Sequence, residues 1–105
     1  MLRLFRSKAP RADAAPGPGS RWRHSPDVTS TREGDSTVLL DHRAGAYFGL
    51  DEVGTRVWEL LGTGASLTAV VDTLAEEYEV PRAVLERDTT EIVSRLRQSN
   101  LLVAP

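Results

Sequence analysis

Three short runs rich in β-branched, aliphatic and aromatic residues predict β-strands in the first half of the chain. They are Asp27–Gly34, Thr37–His42 and Ala46–Leu50, and runs of this length and composition are typical of strands. The intervening segments Glu33–Ser36 and Arg43–Gly45 both contain glycine, and the first also contains Asp and Ser, as tight turns do. Because so few residues separate consecutive strands, the pattern predicts an antiparallel meander.

After the third predicted strand the apolar residues recur at helical spacing and predict three helices. Asp51 is the expected N-cap of the first helix and Ser66 that of the second, while Pro81 suits the first turn of the third. Asn100 is expected to end the third helix, with residues 101–103 folding back onto the core. The apolar stripes are Val53, Val57, Trp58, Leu60 and Leu61; then Leu67, Val70, Val71, Leu74 and Tyr78; and then Leu85, Ile92 and Leu96, with Thr89 between them.

The predicted fold class is therefore α+β, with a three-stranded antiparallel sheet followed by three helices. This is the composition of a winged helix-turn-helix domain with its strands placed first. We assign the domain to residues 27–105 and predict that residues 1–26 form a disordered N-terminal extension. The stretch Lys8–Trp22 is rich in Ala, Pro and Gly without a period, and such a composition favours a flexible leader or linker.

Charge is distributed unevenly along the 105 residues, whose net charge is −2. Residues 1–34 contain seven Lys/Arg and three acidic residues, whereas residues 35–105 contain six Arg and twelve acidic residues, a net charge of −6. An acidic domain disfavours nucleic acid as a partner, because phosphates require a basic face. No apolar run approaches the roughly 20 residues that span a bilayer, and no signal peptide is recognisable, so we expect no membrane partner and a cytoplasmic location.

A search for catalytic or metal-binding groups returns little. The chain has no cysteine, and His24 and His42 lie far apart, so no metal site is expected. Asp41 precedes His42, but adjacent strand residues point to opposite faces and make a poor dyad. The acidic pairs on the predicted helices suit solvated faces, although Asp88 lies close to the apolar stripe. We therefore predict no catalytic residues, no cofactor and no enzymatic activity.

The third predicted strand is the candidate binding site. Ala46–Leu50 contains no proline, no lysine and no charge, and proteins usually protect an edge strand with such residues. An unprotected edge can accept an extended peptide as an added strand, and the third helix would form the other wall of a groove. The candidate peptide-binding residues are Ala46, Tyr47, Phe48, Gly49, Leu50, Leu85, Asp88, Thr89, Ile92 and Leu96.

The alternative interpretation of these apolar residues is that they belong to the core. It is favoured for Ile92, for Leu96 and for whichever of Tyr47 and Phe48 faces inward. A proline at Phe48 is expected to weaken peptide binding if the Phe48 N–H faces the edge, because proline has no backbone donor.

The order and spacing of several segments resemble the PqqD-like family, the peptide-recognition domains of ribosomal natural-product pathways. The resemblance covers about residues 27–103, and it is carried by "STVLLDHRAGAYFGLDEVGTRVWELLGTG", "LTAVVDTLAEEYEV" and "LERDTTEIVSRLRQSNLLV". The "VLLD-x-R-x-G-x-Y" pattern in a short, free-standing domain is most similar to the members that serve lasso-peptide biosynthesis. Sactipeptide, thiopeptide and quinone-cofactor pathways also remain open.

The resemblance implies a non-catalytic chaperone that binds the leader segment of a precursor peptide. It would present the leader to a separate leader protease, with a cyclase acting on the released core. By the same resemblance the leader strand pairs with Ala46–Leu50 and packs against the third helix, at Leu85, Asp88, Thr89, Ile92 and Leu96. A winged-helix DNA-binding regulator and a generic protein–protein adaptor are the alternatives.

Overall fold

The computed structural model describes residues 16–105, and it contains three helices and five strands in that range. The order along the chain is β1 (Arg23–His24), β2 (Val28–Glu33), β3 (Ser36–Asp41), β4 (Ala46–Leu50), α1 (Glu52–Gly62), α2 (Leu67–Glu77), α3 (Arg82–Gln98) and β5 (Leu102–Val103). Strands β2, β3 and β4 form a three-stranded antiparallel sheet in that order, and β1 pairs with β5. The predicted α+β class, with a three-stranded sheet followed by three helices, is confirmed.

Two tight turns set the register of the sheet. Between β2 and β3 the turn contains Gly34 at φ 63°, and Glu33 faces Ser36 across it. Between β3 and β4 the turn contains Gly45 at φ 66°, a left-handed conformation that glycine adopts without steric cost. These two turns fix the pairing of consecutive strands. The strand order is therefore β2-β3-β4, and β4 is an edge strand of the sheet.

The helix boundaries follow the predicted capping residues. The Asp51 carboxylate accepts from the Gly54 N–H at 2.9 Å, and the Ser66 hydroxyl accepts from the Ala69 N–H at 3.2 Å. Each therefore satisfies a backbone donor that the first helical turn leaves without a partner. Pro81 is the N-cap of α3, one residue before the predicted position in its first turn.

The chain reverses direction after α3, and this reversal returns the last residues to the core. Ser99 is the C-cap, and Asn100 follows it with φ 61°. Asparagine tolerates this left-handed conformation better than most residues, and the Leu101 N–H then donates to the Leu96 carbonyl at 2.9 Å. Leu101 and Leu102 are buried as a consequence.

Apolar residues from all three helices and from β3 and β4 form one core. The predicted helical stripes are largely buried, and Leu39, Phe48 and Leu50 contribute from the sheet. Most polar side chains in this core are paired; for example, the Thr55 hydroxyl donates to the Thr37 hydroxyl at 2.9 Å. Burial of a leucine-sized side chain contributes about 1.5–3 kcal/mol, so this core fixes α1 against the sheet and α3 against the other two helices.

Ordered structure begins before Asp27, the residue assigned above as the start of the domain. Trp22 is 7 % exposed and belongs to the core, and β1 pairs with β5 through Arg23–Val103 and His24–Leu102. Residues 22–26 are therefore part of the folded domain and not of an extension. The part of the predicted disordered extension that covers residues 1–15 lies outside the described residues.

Backbone hydrogen bonds attach the segment before Trp22 to the start of α2. The Leu67 N–H donates to the Ser20 carbonyl at 3.0 Å, and the Thr68 N–H donates to the Pro18 carbonyl at 3.0 Å. Because these donors belong to the first turn of α2, they have no intrahelical acceptors of their own. The Pro- and Gly-containing segment thus completes a helix terminus even though its composition predicts no regular structure.

His24 packs face to face on Trp58 of α1 and joins β1 to the helix. The ring centroids are 3.5 Å apart with an interplanar angle of 5°, and Nε2 lies 2.8 Å from the Trp58 carbonyl oxygen, to which it can donate. Gly62 permits this approach, because a Cβ at that position would lie 2.7 Å from His24 Cε1. Any side chain at position 62 would displace the imidazole.

We expect the stability of the domain to fall in mildly acidic solution because of His24. Burial lowers the pKa of His24 below 6.5, and the hydrogen bond to Trp58 raises it by less. The unfolded chain then binds more protons at this site. The stability that depends on neutral His24 is therefore present above about pH 6.5 and is lost as the pH falls through the lowered pKa.

An NMR titration of the His24 ring protons should give a midpoint below 6.5 in the folded protein. His24→Gln serves as the matched variant, because it removes this titration but retains a polar side chain. The difference in unfolding free energy between wild type and His24→Gln should shrink as the pH is lowered from about 7.5 to about 5. A midpoint above 6.5, or a difference independent of pH, would contradict the prediction.

Candidate functional site

Strand β4 forms one edge of the three-stranded sheet, and within residues 16–105 no strand pairs with its outer side. Its side chains alternate, with Phe48 and Leu50 buried and Tyr47 and Gly49 exposed. Tyr47 is 53 % exposed, the largest value for a bulky apolar or aromatic side chain in the described part of the chain. Among the described residues β4 is therefore an edge strand of this sheet.

The register determines which backbone groups of β4 point outward. In an antiparallel pair, a residue directs its N–H and C=O to the same side, and this side alternates along the strand. The His42 N–H donates to the Asp27 carbonyl at 2.9 Å, so even-numbered residues of β3 face β2 and odd-numbered residues face β4. Leu39 pairs with Phe48, and Phe48 therefore directs its N–H and C=O toward β3.

The outward-facing groups of β4 consequently belong to Tyr47 and Gly49. They offer two N–H donors and two C=O acceptors to an added strand. A Cβ built on Gly49 meets no atom within 4 Å, so the face of the sheet is open at this residue. Phe48→Pro is expected to weaken peptide binding only if the Phe48 N–H faces the open edge, and this N–H faces β3 instead. Such a substitution would test the fold and not the edge.

A groove of about 380 Å³ lies between β4 and the C-terminal end of α3. Ala46 and Phe48 provide its apolar surface. Its other lining residues are polar, small or charged: Asp41, Arg43, Ala44, Gln98, Ser99 and Asn100. An extended peptide paired with β4 would therefore have one side against the sheet edge and another against the end of α3.

The candidate residues on α3 are mostly interior. Leu85, Thr89, Ile92 and Leu96 are all buried, with exposures of 5, 1, 8 and 0 % respectively. Asp88 is exposed, and its carboxylate lies 3.3 Å from the Arg87 guanidinium. The structure brings Ala46 and Phe48 to the groove together with the end of α3, but none of these five α3 residues is among the residues that line it.

Sequence reasoning did not identify the groove residues in the β3–β4 turn. Asp41 is 5 % exposed, and one carboxylate oxygen accepts from the Arg43 N–H at 3.0 Å and from the Ala44 N–H at 3.3 Å. This arrangement holds the turn that places Arg43 at the groove. The signal in the sequence is an Asp four residues before a glycine, a combination that favours a side-chain-stabilised turn.

The same turn excludes Asp41 and His42 as a catalytic dyad. Asp41 is buried and bonded to backbone amides, whereas His42 Nε2 lies 2.9 Å from the Thr29 hydroxyl on the exposed face. Among residues 16–105 no cluster of three or more His, Cys, Asp or Glu side chains could hold a metal ion. In the same range no helix is long and apolar enough to cross a membrane.

Residues 36–102 match the family described as Coenzyme PQQ synthesis protein D (PqqD), and this match covers more than half of the 105 residues. The chain belongs to the PqqD family. A comparison with curated proteins finds no match. Two solved structures of peptide complexes, however, share the fold.

The first PqqD-like structure is TbiB1 in complex with the TbiA(beta) leader peptide. It is 40 % identical to this chain, with a TM-score of 0.73, and the alignment covers 76 % of this chain and 93 % of TbiB1. The second is a lasso peptide synthetase B1 complexed with the leader peptide. It is 31 % identical, with a TM-score of 0.72, and the alignment covers 82 % of this chain and 100 % of that protein. Both relatives are peptide-binding proteins by their descriptions.

Acidic neighbours pair with most of the arginines on the surface of α3 in this PqqD-family domain. Three of its arginines form ion pairs with neighbouring carboxylates: Arg82–Asp72 at 2.6 Å, Arg87–Asp88 at 3.3 Å and Arg95–Glu91 at 3.2 Å. The hydrogen bonds that Arg82 donates to Asp72 and, with a smaller effect, to Glu86 raise the pKa of Arg82. A recognition helix needs cations directed at phosphates, and here acidic neighbours oppose them. The geometry therefore offers less support for a DNA-binding regulator than for peptide binding.

Proposed function

We propose that this chain binds the leader segment of a ribosomal precursor peptide as an added strand on β4. One observation carries the proposal: the backbone of Tyr47 and Gly49 faces outward beside a groove whose apolar surface comes from Ala46 and Phe48. Two PqqD-like relatives with the same fold are complexed with leader peptides, which supports the same class of ligand. The site residues are those of β4, and the end of α3 supplies the facing wall.

The energetics indicate that backbone pairing needs help from side chains. Four backbone hydrogen bonds at about 0.5–1.5 kcal/mol each contribute about 2–6 kcal/mol, whereas micromolar affinity requires about 8 kcal/mol. The difference must come from apolar groups of the peptide. Ala46 and Phe48 offer the apolar surface for them in the groove, so we expect one or two apolar anchors beside the paired segment.

The proposal includes a non-catalytic role in a biosynthetic assembly. The domain would hold the leader in the cytoplasm for a separate leader protease, and a cyclase would act on the released core. It would use no cofactor. Lasso-peptide biosynthesis is the proposed pathway, supported by the similarity to TbiB1 and to a lasso peptide synthetase B1.

Fluorescence anisotropy with a labelled leader peptide tests the proposal directly. Two probes are used: the TbiA(beta) leader that the 40 %-identical relative binds, and the leader of a precursor peptide where one is encoded beside this gene. We expect saturable binding in the micromolar range or tighter, competed by unlabelled leader but not by the core peptide. No binding of either probe at high micromolar concentration, with the domain shown to be folded, would favour a generic protein adaptor.

A further inference from the structure

A second concavity, of about 500 Å³, lies around Trp22 on the other side of the C-terminal end of α3. We call it the basic corner, because Arg21 and Arg97 line it and none of its lining residues within the described range 16–105 is Asp or Glu. It is formed by Arg21, Trp22, Arg97, Asn100, Leu102, Val103, Ala104 and Pro105. Its positive character contrasts with residues 35–105 as a whole, whose net charge is −6.

The arginines of the basic corner are held by neighbouring groups. The Arg97 guanidinium lies over the Trp22 ring, 5.8 Å from its centroid, a separation compatible with a cation–π contact. Arg21 donates to the Gly64 carbonyl at 2.6 Å. Arg23 does not line the corner, but it donates at 3.1 Å to the carbonyl of Ala104, which does. A guanidinium has five N–H donors, so Arg21, which is exposed, can also bind a carboxylate.

The basic corner and the β4 groove share one lining residue at the end of α3. Asn100 lines both concavities, and its backbone at φ 61° turns the chain between them. Ala46 and Phe48 lie on the groove side of Asn100. Asn100 is therefore the point at which a peptide that pairs with β4 and continues past Ala46 could reach the arginines.

We propose that the basic corner binds acidic residues of the same peptide, adjacent to the segment that pairs with β4. This inference rests on the proposed function and adds a charge requirement to it. An added strand antiparallel to β4 brings its C-terminal end to Ala46, so the acidic residues would follow the paired segment; a parallel strand would place them before it. Backbone pairing alone does not distinguish one peptide sequence from another. The basic corner would add selection for peptides that carry acidic residues at this position.

The test uses the TbiA(beta) leader peptide with six-residue extensions, each long enough to span ~20 Å. Alternating Glu and Ser form the acidic extension, and alternating Gln and Ser form the neutral one. Each extension is added to either end of the peptide. We expect the acidic extension at one end to tighten binding to the wild-type protein about three- to tenfold relative to its neutral match, as expected for partly exposed ion pairs.

The gain should disappear in Arg21→Gln and Arg97→Gln and should shrink with added salt. Arg95→Gln is the matched control, because Arg95 lies on the same helix and pairs with Glu91 outside the corner. Thermal unfolding of Arg97→Gln checks that loss of the contact with Trp22 leaves the domain folded. Arg21→Gln gives a second readout that does not involve Trp22.

The position of the effective extension reports the strand direction, and either position supports the proposal. An acidic extension with no effect at both ends, or a gain that persists in Arg21→Gln and Arg97→Gln, would overturn it while the leader itself still binds. If the unextended leader fails to bind the folded wild-type protein, the proposed function is contradicted for this peptide, and the charge requirement falls with it.

Discussion

Replacement of Trp22 by alanine is expected to destabilise the domain by about 3–5 kcal/mol, the usual cost of removing a large aromatic side chain from a core. Trp22 is 7 % exposed and packs in the core, although it lies before the predicted start of the domain. Small domains are stabilised by only about 5–15 kcal/mol. Thermal unfolding should therefore show a fall in Tm of more than about 10 °C.

Tyr47→Ala is the matched control for this prediction, because it removes an aromatic ring that is 53 % exposed. Its effect on Tm should be small. A chain that begins at Asp27 should be at least as unstable as Trp22→Ala, since it also lacks β1 and its pairing with β5. If the chain beginning at Asp27 unfolded at the same temperature as the full-length protein, Trp22 and β1 would have no structural role.

The N-terminal segment shows why part of the fold escaped prediction. Its Ala-, Pro- and Gly-rich composition carries no period, and the two residues of β1 are too few to produce a strand pattern. β1 is ordered by contacts with residues distant in sequence, since His24 pairs with Leu102 and packs on Trp58. Local patterns cannot reveal such contacts. By contrast, the caps at Asp51 and Ser66 depend on interactions over three residues and were predicted correctly.

In the candidate site, too, local features were predictable from the sequence and features that depend on distant contacts were not. Composition alone was enough to identify Ala46–Leu50 as an unprotected edge, because protecting residues are absent from the strand itself. The direction of each N–H, however, depends on register, which is fixed by the turns at Gly34 and Gly45. The apolar stripe on α3 has the same helical period whether it faces a groove or the core. The sequence therefore could not show that Leu96 and Thr89 are buried, because their burial depends on how α3 packs against the rest of the domain.

Gly49→Pro is expected to weaken leader binding by at least about tenfold while the domain remains folded. The substitution removes an outward-facing N–H and places a ring where the added strand would approach. Loss of one backbone hydrogen bond and the resulting unpaired acceptor costs about 1–3 kcal/mol. Proline is tolerated on an edge strand when its nitrogen faces solvent, and the register directs the nitrogen of Gly49 away from β3. Anisotropy titration with the labelled leader measures the effect.

Two matched variants isolate the backbone contribution. Gly49→Ala adds a Cβ that meets no atom within 4 Å and keeps the N–H, so binding should change little. Ser30→Pro introduces the same backbone change at an outward-facing position of the opposite edge strand, β2, and should leave the affinity unchanged. Full affinity in a folded Gly49→Pro variant would exclude strand addition on β4. Equal losses of affinity in Gly49→Pro and Ser30→Pro would instead indicate a general distortion of the sheet, and they would remove the support that Gly49→Pro gives to strand addition on β4.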